Sequence, residues 1–412
     1  MDLDPTRIRD RFPALARTAG GRRCVFADAP GGTQVPEEVI EAMAGYLARS
    51  NANSGGAFAT SRETDEVIGS ARRAAADLLG SHPSEVVFGP NMTTLTMQLS
   101  RSLARGLGPG DEIVVTVLDH DANISPWVLA ARDTGATVRW VDVDDSDCTL
   151  DRGSFRDALG ARTRVVALTL ASNAVGSVTP ATDLVADVRE RAPAAVIVAD
   201  AVHLAPHRSI DVRTLGADVL LCSPYKFFGP HLGVMVARTA LLEDLEPYRV
   251  RPAPDAVPDR WETGTQSHEA LAGLTAAVAY LRSLGEGEGR TGIVSALQAI
   301  AVHEARLSAR FLRGVAEIPG LTLYGIADPD RTGERTPTFA LRLEGRTPRA
   351  VAEELDRRGI FAWDGNYYAL AIMERLGLEA SGGAVRIGFC HYHDRDDVDR
   401  VLGELATLAG GS

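Results

Sequence analysis

The stretch that decides the fold is LLCSPYKFFGPHLGVMVA, residues 220–237. Two apolar runs enclose a polar turn, and this turn places Lys226 between Tyr225 and two phenylalanines. Short, continuously apolar runs are typical of strands that are buried on both faces of a sheet. A lysine is rarely buried, because removing its ammonium group from water is costly unless the charge is paired. Lys226 is therefore a candidate functional residue.

The same kind of apolar run recurs along the first two thirds of the chain. Helical patterns such as VIGSARRAAADLLG and TTLTMQLSRSLARGL separate these runs. This alternation predicts an α/β domain with a mainly parallel sheet covered by helices on both faces. The predicted strands cover residues 85–90, 112–118, 137–143, 163–172, 194–200, 217–223 and 233–237.

Beyond Trp261 the pattern changes to one long helix at 291–317 and a smaller set of strands and helices. LTLYG, TFALRL and AVRIGFC are predicted strands, TPRAVAEELDRRG is a predicted helix, and a closing helix begins at Asp394. This pattern predicts a small α+β domain at the C-terminal end. We expect an N-terminal arm at 1–21 that packs on the small domain, a large domain at 22–285 and the small domain at 286–412. A cleft between two domains is a usual place for a ligand.

Composition and charge exclude several classes of function. The formal net charge of −12 and the lack of a Lys/Arg cluster argue against a nucleic-acid partner. Neither a signal-peptide core nor a membrane-spanning run is visible, so we expect no membrane partner. The four cysteines are scattered without a CxxC pair, which argues against disulfides and structural zinc and for a cytoplasmic location.

Asp200 and Lys226 follow two successive predicted strands, at the end of the sheet where α/β proteins bind ligands. The two side chains could simply form a salt bridge, and Asp200 alone could cap the following loop. Pyridoxal phosphate explains both residues, since it needs a lysine for an imine and a carboxylate for its ring nitrogen. Burial lowers the pKa of a lysine, which favours the neutral amine that this chemistry requires.

Two more segments lie at predicted strand ends. In GPNMTT, small hydroxylated residues at a helix N-terminus suit a phosphate, although this segment taken alone favours plain helix capping by Thr93 or Thr94. His120, in LDHDANISPW, could stack on a flat ring or could be an ordinary exposed loop residue.

Together these residues resemble the class V aminotransferase family, in its cysteine-desulfurase-like branch. The motifs DHxANxxPW, SNAVGSVTP, DAVHLAPHRSIDV and SPYKFFGPHLG occur in order, and the resemblance extends from FADAPGGTQVP (26–36) to AVRIGFCHYH. It implies an enzyme of fold-type I with pyridoxal 5'-phosphate as cofactor. It also implies a small amino acid as substrate and a homodimer with shared active sites.

The resemblance further implies catalytic roles. Lys226 is expected to be the imine lysine and proton shuttle, and Asp200 the partner of the pyridine nitrogen. His203 is expected to contact the phenolic oxygen of the ring, and His120 to stack on the ring.

Binding roles follow in the same way. The residues expected to contact the cofactor phosphate are Thr93, Thr94, Ser223 and, from the neighbouring subunit, Thr265 in WETGTQ. Asn173 is expected near both ring and substrate, with Tyr368 beside the substrate. Arg386 is expected to bind the substrate carboxylate through its two-pronged guanidinium.

One departure from the family concerns the loop that carries the catalytic cysteine of desulfurases. Here that loop is GIFAWDGNYYALAIM, with Tyr367 or Tyr368 in place of the cysteine. No cysteine is near it in sequence, and Cys222 is expected to be inert core. A tyrosine can donate a hydrogen bond or a proton, so it suits elimination, transamination and epimerisation alike.

The sequence therefore favours a lyase that cleaves the C–S bond of cysteine or a cysteine derivative without a persulfide cysteine. The substrate amine would displace Lys226 to give an external aldimine, and Lys226 would then move the α-proton. An aminotransferase or epimerase of the same fold is the alternative. Two further classes are a non-catalytic scaffold and a nucleotide-binding enzyme, the latter disfavoured by the lack of GxGxxG or GxxxxGK[ST].

Two remaining segments have plainer interpretations. His391 and His393 share one face of a predicted strand, but without a third ligand we expect no metal site and a helix cap at Asp394. NANSGGAFATS, residues 51–61, is predicted to be a loop near the substrate entrance.

Overall fold

The computed structural model describes residues 3–410 and contains three sheets. The strands are β1 Thr18–Ala19, β2 Arg22–Arg23, β3 Val86–Gly89, β4 Glu112–Thr116, β5 Thr137–Val141, β6 Thr163–Thr169, β7 Val196–Asp200, β8 Val219–Cys222, β9 Gly233–Ala237, β10 Leu321–Tyr324, β11 Thr338–Leu343, β12 Trp363–Gly365 and β13 Ala384–Gly388.

The helices cover the faces of the two larger sheets. They are α1 Pro5–Arg9, α2 Glu37–Arg49, α3 Ala59–Leu79, α4 Met92–Ala104, α5 Ser125–Thr134, α6 Arg152–Ala158, α7 Ala181–Arg191, α8 Val212–Leu215, α9 Thr239–Asp244, α10 His268–Ser283, α11 Gly289–Ala316, α12 Pro348–Arg357, α13 Leu370–Arg375 and α14 Arg395–Gly410. No helix within residues 3–410 is long and apolar enough to cross a membrane.

The large sheet contains all seven predicted strands, in the order β3-β9-β8-β7-β6-β4-β5. Only β9 runs opposite to the others, since its pairs with β3 and β8 are antiparallel and the remaining pairs are parallel. Every residue of β3, β4, β8 and β9 is buried, as expected for strands with helices on both faces. The predicted mainly parallel seven-stranded sheet is confirmed.

The small sheet has the order β10-β11-β13-β12, with antiparallel pairs throughout. Strand β12 and helix α13 were not predicted, and they flank the loop that contains the two tyrosines. Val25 and Ala27 pack in the hydrophobic core of this sheet, and Val25 forms a parallel bridge with Ile360. The chain before the large sheet thus also contributes to the small one.

The N-terminal segment contacts the chain just before α14. Arg9 donates hydrogen bonds to the Tyr392 carbonyl (3.1 Å) and to the Asp394 carboxylate (2.6 Å). The Phe12 ring packs against the rings of Phe228 and Tyr392. Residues 1 and 2 of the predicted arm lie outside the described residues, and the exact bounds of the three predicted parts stay a prediction.

The segment predicted to be a loop at 51–61 is shorter in the structure, because α3 begins at Ala59. Ser61, inside the helix, holds the loop through two hydrogen bonds. Its hydroxyl donates to the Asn53 carbonyl (2.6 Å) and accepts from the Gly56 N–H (2.6 Å). The prediction was wrong at its last three residues, since Gly and Ser hide a helix start when composition alone is used.

Candidate active site

A cavity lies at the carboxyl ends of strands β6, β7 and β8. The residues at these ends, Thr169, Asp200 and Ser223, all line it. We call it the inner cavity. The predicted site residues that line it are Thr93, His120, Asn173, Asp200, His203, Ser223 and Lys226.

Asp200 is the last residue of β7 and is only 3% exposed. Its Oδ1 accepts a hydrogen bond from the Val202 N–H (2.8 Å). Burial raises the pKa of Asp200 to about 6, although this hydrogen bond and the charge of Lys226 oppose the rise. A carboxylate held in this way gains from a cationic N–H group placed opposite it.

Lys226 lies in the turn after β8 and is the only lysine in the sequence. Its Nζ donates hydrogen bonds to the carbonyls of Pro30 (2.6 Å) and Gly31 (2.9 Å). Burial and the nearby charge of Arg386 lower the pKa of Lys226 to about 7, against the opposing effect of Asp200. A large fraction of Lys226 is therefore a neutral, nucleophilic amine near neutral pH.

The N-terminus of α4 forms one wall of the inner cavity. Its cap is Asn91, whose Oδ1 accepts from the N–H (2.8 Å) and the hydroxyl (3.0 Å) of Thr94. The Met92 N–H donates to the Ser223 hydroxyl (3.1 Å), and Thr93 lines the cavity. The structure does not bring Thr94 into the cavity wall. Both predicted capping residues were wrong, because Asn91 precedes them and Asn is a preferred N-cap.

His120 follows β4 and lines the inner cavity. Its Nδ1 accepts from the Ala122 N–H (3.0 Å), so the proton of the neutral ring is on Nε2. Burial, together with Lys226, lowers the pKa of His120 to about 4. The preceding Asp119 fixes this loop by accepting hydrogen bonds from Thr116 (2.5 Å) and Asn123 (2.7 Å). His120 is thus a neutral, oriented flat ring.

His203 is held from the small sheet. Its Nε2 lies 3.0 Å from the hydroxyl of Thr338, at the start of β11, and 3.2 Å from that of Thr336. Burial lowers the pKa of His203 well below its usual value, so the ring is neutral. With Nε2 anchored, the other ring nitrogen is left for a group in the inner cavity.

A second cavity of about 590 Å³, the outer cavity, adjoins the first. The two share four lining residues, which are His120, Asn173, Tyr225 and Lys226. Trp363 and the segment Asp364 to Tyr368 form much of its remaining wall, together with Gly31, Glu379, Gly382 and Arg386. A ligand in the outer cavity therefore reaches Lys226.

Arg386, on β13, is 4% exposed and lines the outer cavity. Its Nη1 donates to the Asn173 carbonyl (2.8 Å), and its guanidinium lies 4.3 Å from the ring centroid of Tyr367. Burial lowers the pKa of Arg386 to about 10, so it remains cationic at neutral pH. Arg386 Nε and Asn173 Oδ1 are buried without a hydrogen-bond partner among residues 3–410. Such unpaired polar atoms are costly and indicate a bound partner.

Tyr367 and Tyr368 both adopt the left-handed backbone conformation, with φ of 56° and 58°. Their carbonyls accept hydrogen bonds from Asn173 Nδ2 (3.0 Å) and from the Asp121 N–H (2.6 Å). The Tyr367 hydroxyl donates to the Ala384 carbonyl. The loop is therefore attached to the large sheet by its backbone and to the small sheet by Tyr367.

No cysteine lines either cavity. All four are buried, and Cys222 lies in the core as predicted. Cys148 packs in the same hydrophobic cluster as Ala369 and Ile372, beneath the tyrosine loop, although it is distant in sequence. Burial raises the pKa of Cys148 to about 11, so its thiol is protonated and poorly nucleophilic.

Thr265 lies in a separate surface pocket, which shares no lining residue with the inner cavity. Within residues 3–410, no group of three or more His, Cys, Asp or Glu side chains is placed to hold a metal ion. His391 is buried with its Nε2 2.5 Å from the Tyr280 hydroxyl. Asp394 precedes α14 and accepts from the Asp397 N–H (2.9 Å), which confirms the predicted cap.

The inner cavity fits pyridoxal phosphate. A helix N-terminus with the Ser223 hydroxyl suits the phosphate, and the buried Asp200 suits a protonated ring nitrogen. The neutral ring of His120 and the amine of Lys226 complete the set of groups that this cofactor requires.

Comparison with known sequences agrees with this fit. The sequence pattern of the family described as Aminotransferase class-V matches residues 25–401. The chain belongs to the class V aminotransferase family. An aminotransferase-like protein of Gibberella zeae is 31% identical over 96% of each chain. A probable cysteine desulfurase of Mycobacterium leprae is 32% identical over 98% of this chain and 97% of its own.

A solved structure agrees as well. The cysteine desulfurase of Thermococcus onnurineus superposes with a TM-score of 0.90 at 25% identity, with both chains fully covered. The predicted family, the fold-type I architecture and a pyridoxal-phosphate enzyme are thereby confirmed for this member of the class V aminotransferase family.

Several residues of the class V site were missed from the sequence. Asn91 and Tyr225 were inside quoted motifs, and the N-cap preference of Asn was a usable signal for the first. Asp364 lies in the quoted loop GIFAWDGNYYALAIM, where attention fell on the tyrosines, and Glu379 lies in a segment of short elements with no motif; both line the outer cavity.

Proposed function

We propose that the protein is a pyridoxal-phosphate-dependent lyase that cleaves the C–S bond of a cysteine derivative without a persulfide on the enzyme. The observation that carries this proposal is that Lys226 and Arg386 line one cavity that no thiol reaches. Relatives named cysteine desulfurases support chemistry on a sulfur amino acid.

In this proposal the inner cavity holds the cofactor. The N-terminus of α4 with Thr93 and Ser223 binds the phosphate, Asp200 keeps the ring nitrogen protonated, and His120 lies on the ring. His203, fixed by Thr338, offers its free nitrogen to the phenolic oxygen. When bound, pyridoxal phosphate supplies an electron sink for the bonds of the substrate α-carbon.

Arg386 and Lys226 act on the substrate. The guanidinium of Arg386 binds the α-carboxylate, whose oxygens match its two-pronged geometry and satisfy its unpaired Nε. Neutral Lys226 removes the α-proton and carries it at Nζ, a role that its lowered pKa permits near pH 7. Tyr367 and Tyr368 help to limit the entry of water above these groups.

The fate of the sulfur follows from the lack of a thiol at the cavity. Without an acceptor cysteine, the C–S bond breaks by β-elimination, and the sulfur leaves as a thiol with one proton. The remaining three carbons are released as an enamine that water converts to pyruvate and ammonia. No oxidant or reductant is needed for this balance.

We also propose a homodimer. Thr265 contacts neither cavity in its own chain, so a role at a cofactor phosphate requires a second copy. Large apolar side chains are exposed at Leu47 and Phe58 and at Tyr248 and Val250, which suits a buried subunit contact.

The test is product analysis of the loaded enzyme with L-cysteine and S-substituted cysteines in heavy water. Pyruvate, ammonia and a free thiol are expected. Alanine with sulfide would instead indicate a desulfurase, a keto acid of the intact substrate an aminotransferase, and α-deuterium exchange alone an epimerase.

The matched variant is Lys226→Ala, which should lose all products and the lysine adduct trapped by borohydride. Because the chain has no other lysine, any trapped lysine adduct in the wild type must be at Lys226. An unchanged visible spectrum and full activity in the variant would refute the assignment.

A further inference from the structure

The outer cavity contains a carboxylate that the proposed reaction does not use. Glu379 follows α13 and lines the cavity. Its Oε1 accepts from Asn366 Nδ2 (3.0 Å), whereas its Oε2 is buried and has no hydrogen-bond partner among residues 3–410. A buried carboxylate oxygen without a donor is unfavourable, and a bound ligand can supply that donor.

When the substrate is bound as proposed, the wall of the outer cavity carries more negative than positive charge. The acidic lining residues are Asp364 and Glu379, and the basic ones are Lys226 and Arg386. In the proposed function Lys226 acts as a neutral amine, and the charge of Arg386 is paired with the substrate carboxylate. Both acidic groups then remain, facing whatever the substrate side chain brings into the cavity.

Neither carboxylate is neutralised strongly from outside. Asp364 lies 3.4 Å from Arg349, but the side chain of Arg349 is 72% exposed, so water screens this pair. Glu379 forms no ion pair among the described residues, and its Oε1 accepts a hydrogen bond from the neutral amide of Asn366. The surplus negative charge therefore acts inside the cavity.

The cavity is an independently supported ligand site. Arg386 and Asn173 line it, are more than nine-tenths buried, and each retains a polar atom without a partner. The space of about 590 Å³ exceeds what the three carbons of cysteine require and leaves room for a longer side chain. The exposed ring of Tyr368 offers an aromatic face to a cation.

We propose that the substrate of this site is an amino acid whose side chain ends in a cationic group, bound by Glu379 opposite Arg386. This inference rests on the proposed function, since it assigns the α-carboxylate to Arg386. An ammonium or guanidinium satisfies the free oxygen of Glu379, whereas an anionic side chain is repelled by Glu379 and Asp364. The site thus binds both ends of a long amino acid by opposite charges.

The test uses two matched pairs of ligands on the loaded enzyme. S-Aminoethyl-L-cysteine is compared with S-propyl-L-cysteine, and L-lysine with L-norleucine. Dissociation constants are measured from the change in the visible spectrum of the bound cofactor, which does not require turnover. We expect the cationic member of each pair to bind at least about tenfold more tightly.

The variant Glu379→Gln should abolish this preference while it leaves binding of the neutral members unchanged. Glu374→Gln, an exposed residue on α13 outside the cavity, is the matched control and should behave as wild type. Equal binding within both pairs, or a preference that survives in Glu379→Gln, would overturn the cationic subsite.

The result also separates the two proposals. A cationic preference without thiol release from either conjugate keeps the subsite and removes the lyase. Thiol release from both conjugates with no preference keeps the lyase and removes the subsite. If no ligand changes the spectrum, the cationic subsite is refuted.

Discussion

Tyr368 stacks on His120, with the ring centroids 5.7 Å apart and an angle of 16° between the planes. Tyr368 is 74% exposed, whereas His120 lines both cavities, so the pair marks the boundary between solvent and site. The stacking occurs although Tyr368 and its neighbour Tyr367 have positive φ, which costs a residue with a Cβ about 1–2 kcal/mol. The loop therefore has strained backbone at these two residues and holds the Tyr368 ring in a fixed position over the site.

The strain at Tyr368 predicts an unusual order of stability. Tyr368→Ala and Tyr368→Gly both remove the ring, but only glycine removes the left-handed strain. We expect the glycine variant to have a free energy of unfolding about 1 kcal/mol above that of the alanine variant. Urea denaturation of the apo protein measures the difference. In an ordinary loop the glycine variant is less stable than the alanine variant. That order of stability at Tyr368 would contradict a left-handed conformation in solution.

The lowered pKa of Lys226 predicts the pH dependence of cofactor attachment. Only the neutral amine reacts, and its fraction rises as pH increases through the pKa of about 7. The rate at which apo protein acquires a visible cofactor band should rise about tenfold per pH unit below 7 and level off above it. A rate that continues to rise towards pH 10 would mean that Lys226 keeps an ordinary pKa.

Arg386→Lys tests the carboxylate contact. Lysine retains the charge but loses the two-pronged geometry and the stacking on Tyr367. We expect the dissociation constant for amino acids to rise at least about tenfold, equivalent to about 1.4 kcal/mol, with smaller changes for the cofactor alone. Arg342→Lys, on the neighbouring β11 and outside both cavities, is the control. Equal effects of the two substitutions would remove Arg386 from substrate binding.

The parts of the site that were predicted from the sequence lie where local pattern and tertiary structure agree. Asp200 ends β7 and Lys226 lies in the turn after β8. Both strands have continuous apolar runs, so the sheet brings the two residues together without further information. Thr93 lines the inner cavity and Thr94 does not, because one residue of helix register decides which side chain faces the cavity. The phosphate contact of Thr94 stays a prediction.

Arg386, Asn173 and Tyr368 of the outer cavity were predicted, but its acidic residues were not, for a different reason. Its wall runs through β12, the tyrosine loop and the short segment that includes Glu379. These elements are too short for periodicity, and their positions depend on pairing with β13 and on left-handed backbone at non-glycine residues. These positions are determined by tertiary structure and are not visible in the local sequence.

Thr338→Val tests how His203 is positioned. Valine has nearly the same shape but lacks the hydroxyl, so Nε2 of His203 loses its 3.0 Å partner. A neutral hydrogen bond contributes about 0.5–1.5 kcal/mol, so the dissociation constant for pyridoxal phosphate should rise about two- to tenfold. Equilibrium dialysis measures it. Thr322→Val, exposed on β10 of the same sheet, should leave the constant unchanged. A Thr338→Val protein with wild-type affinity would show that this contact does not orient His203.

The contact between His203 and Thr338 also joins two parts of the molecule that have separate cores. His203 follows β7 of the large sheet, and Thr338 begins β11 of the small one. Cofactor binding and the association of the two sheets are coupled through His203. If the ordered His203 strengthens cofactor binding, the bound cofactor strengthens the association of the two sheets by the same free energy. Backbone amides of β11 should therefore exchange their hydrogens more slowly in the loaded protein than in the apo protein. The ratio of these two exchange rates should be closer to one in Thr338→Val. Bound cofactor would then stabilise the contact between the two sheets, and the effect would be measurable in β11, which does not line the inner cavity.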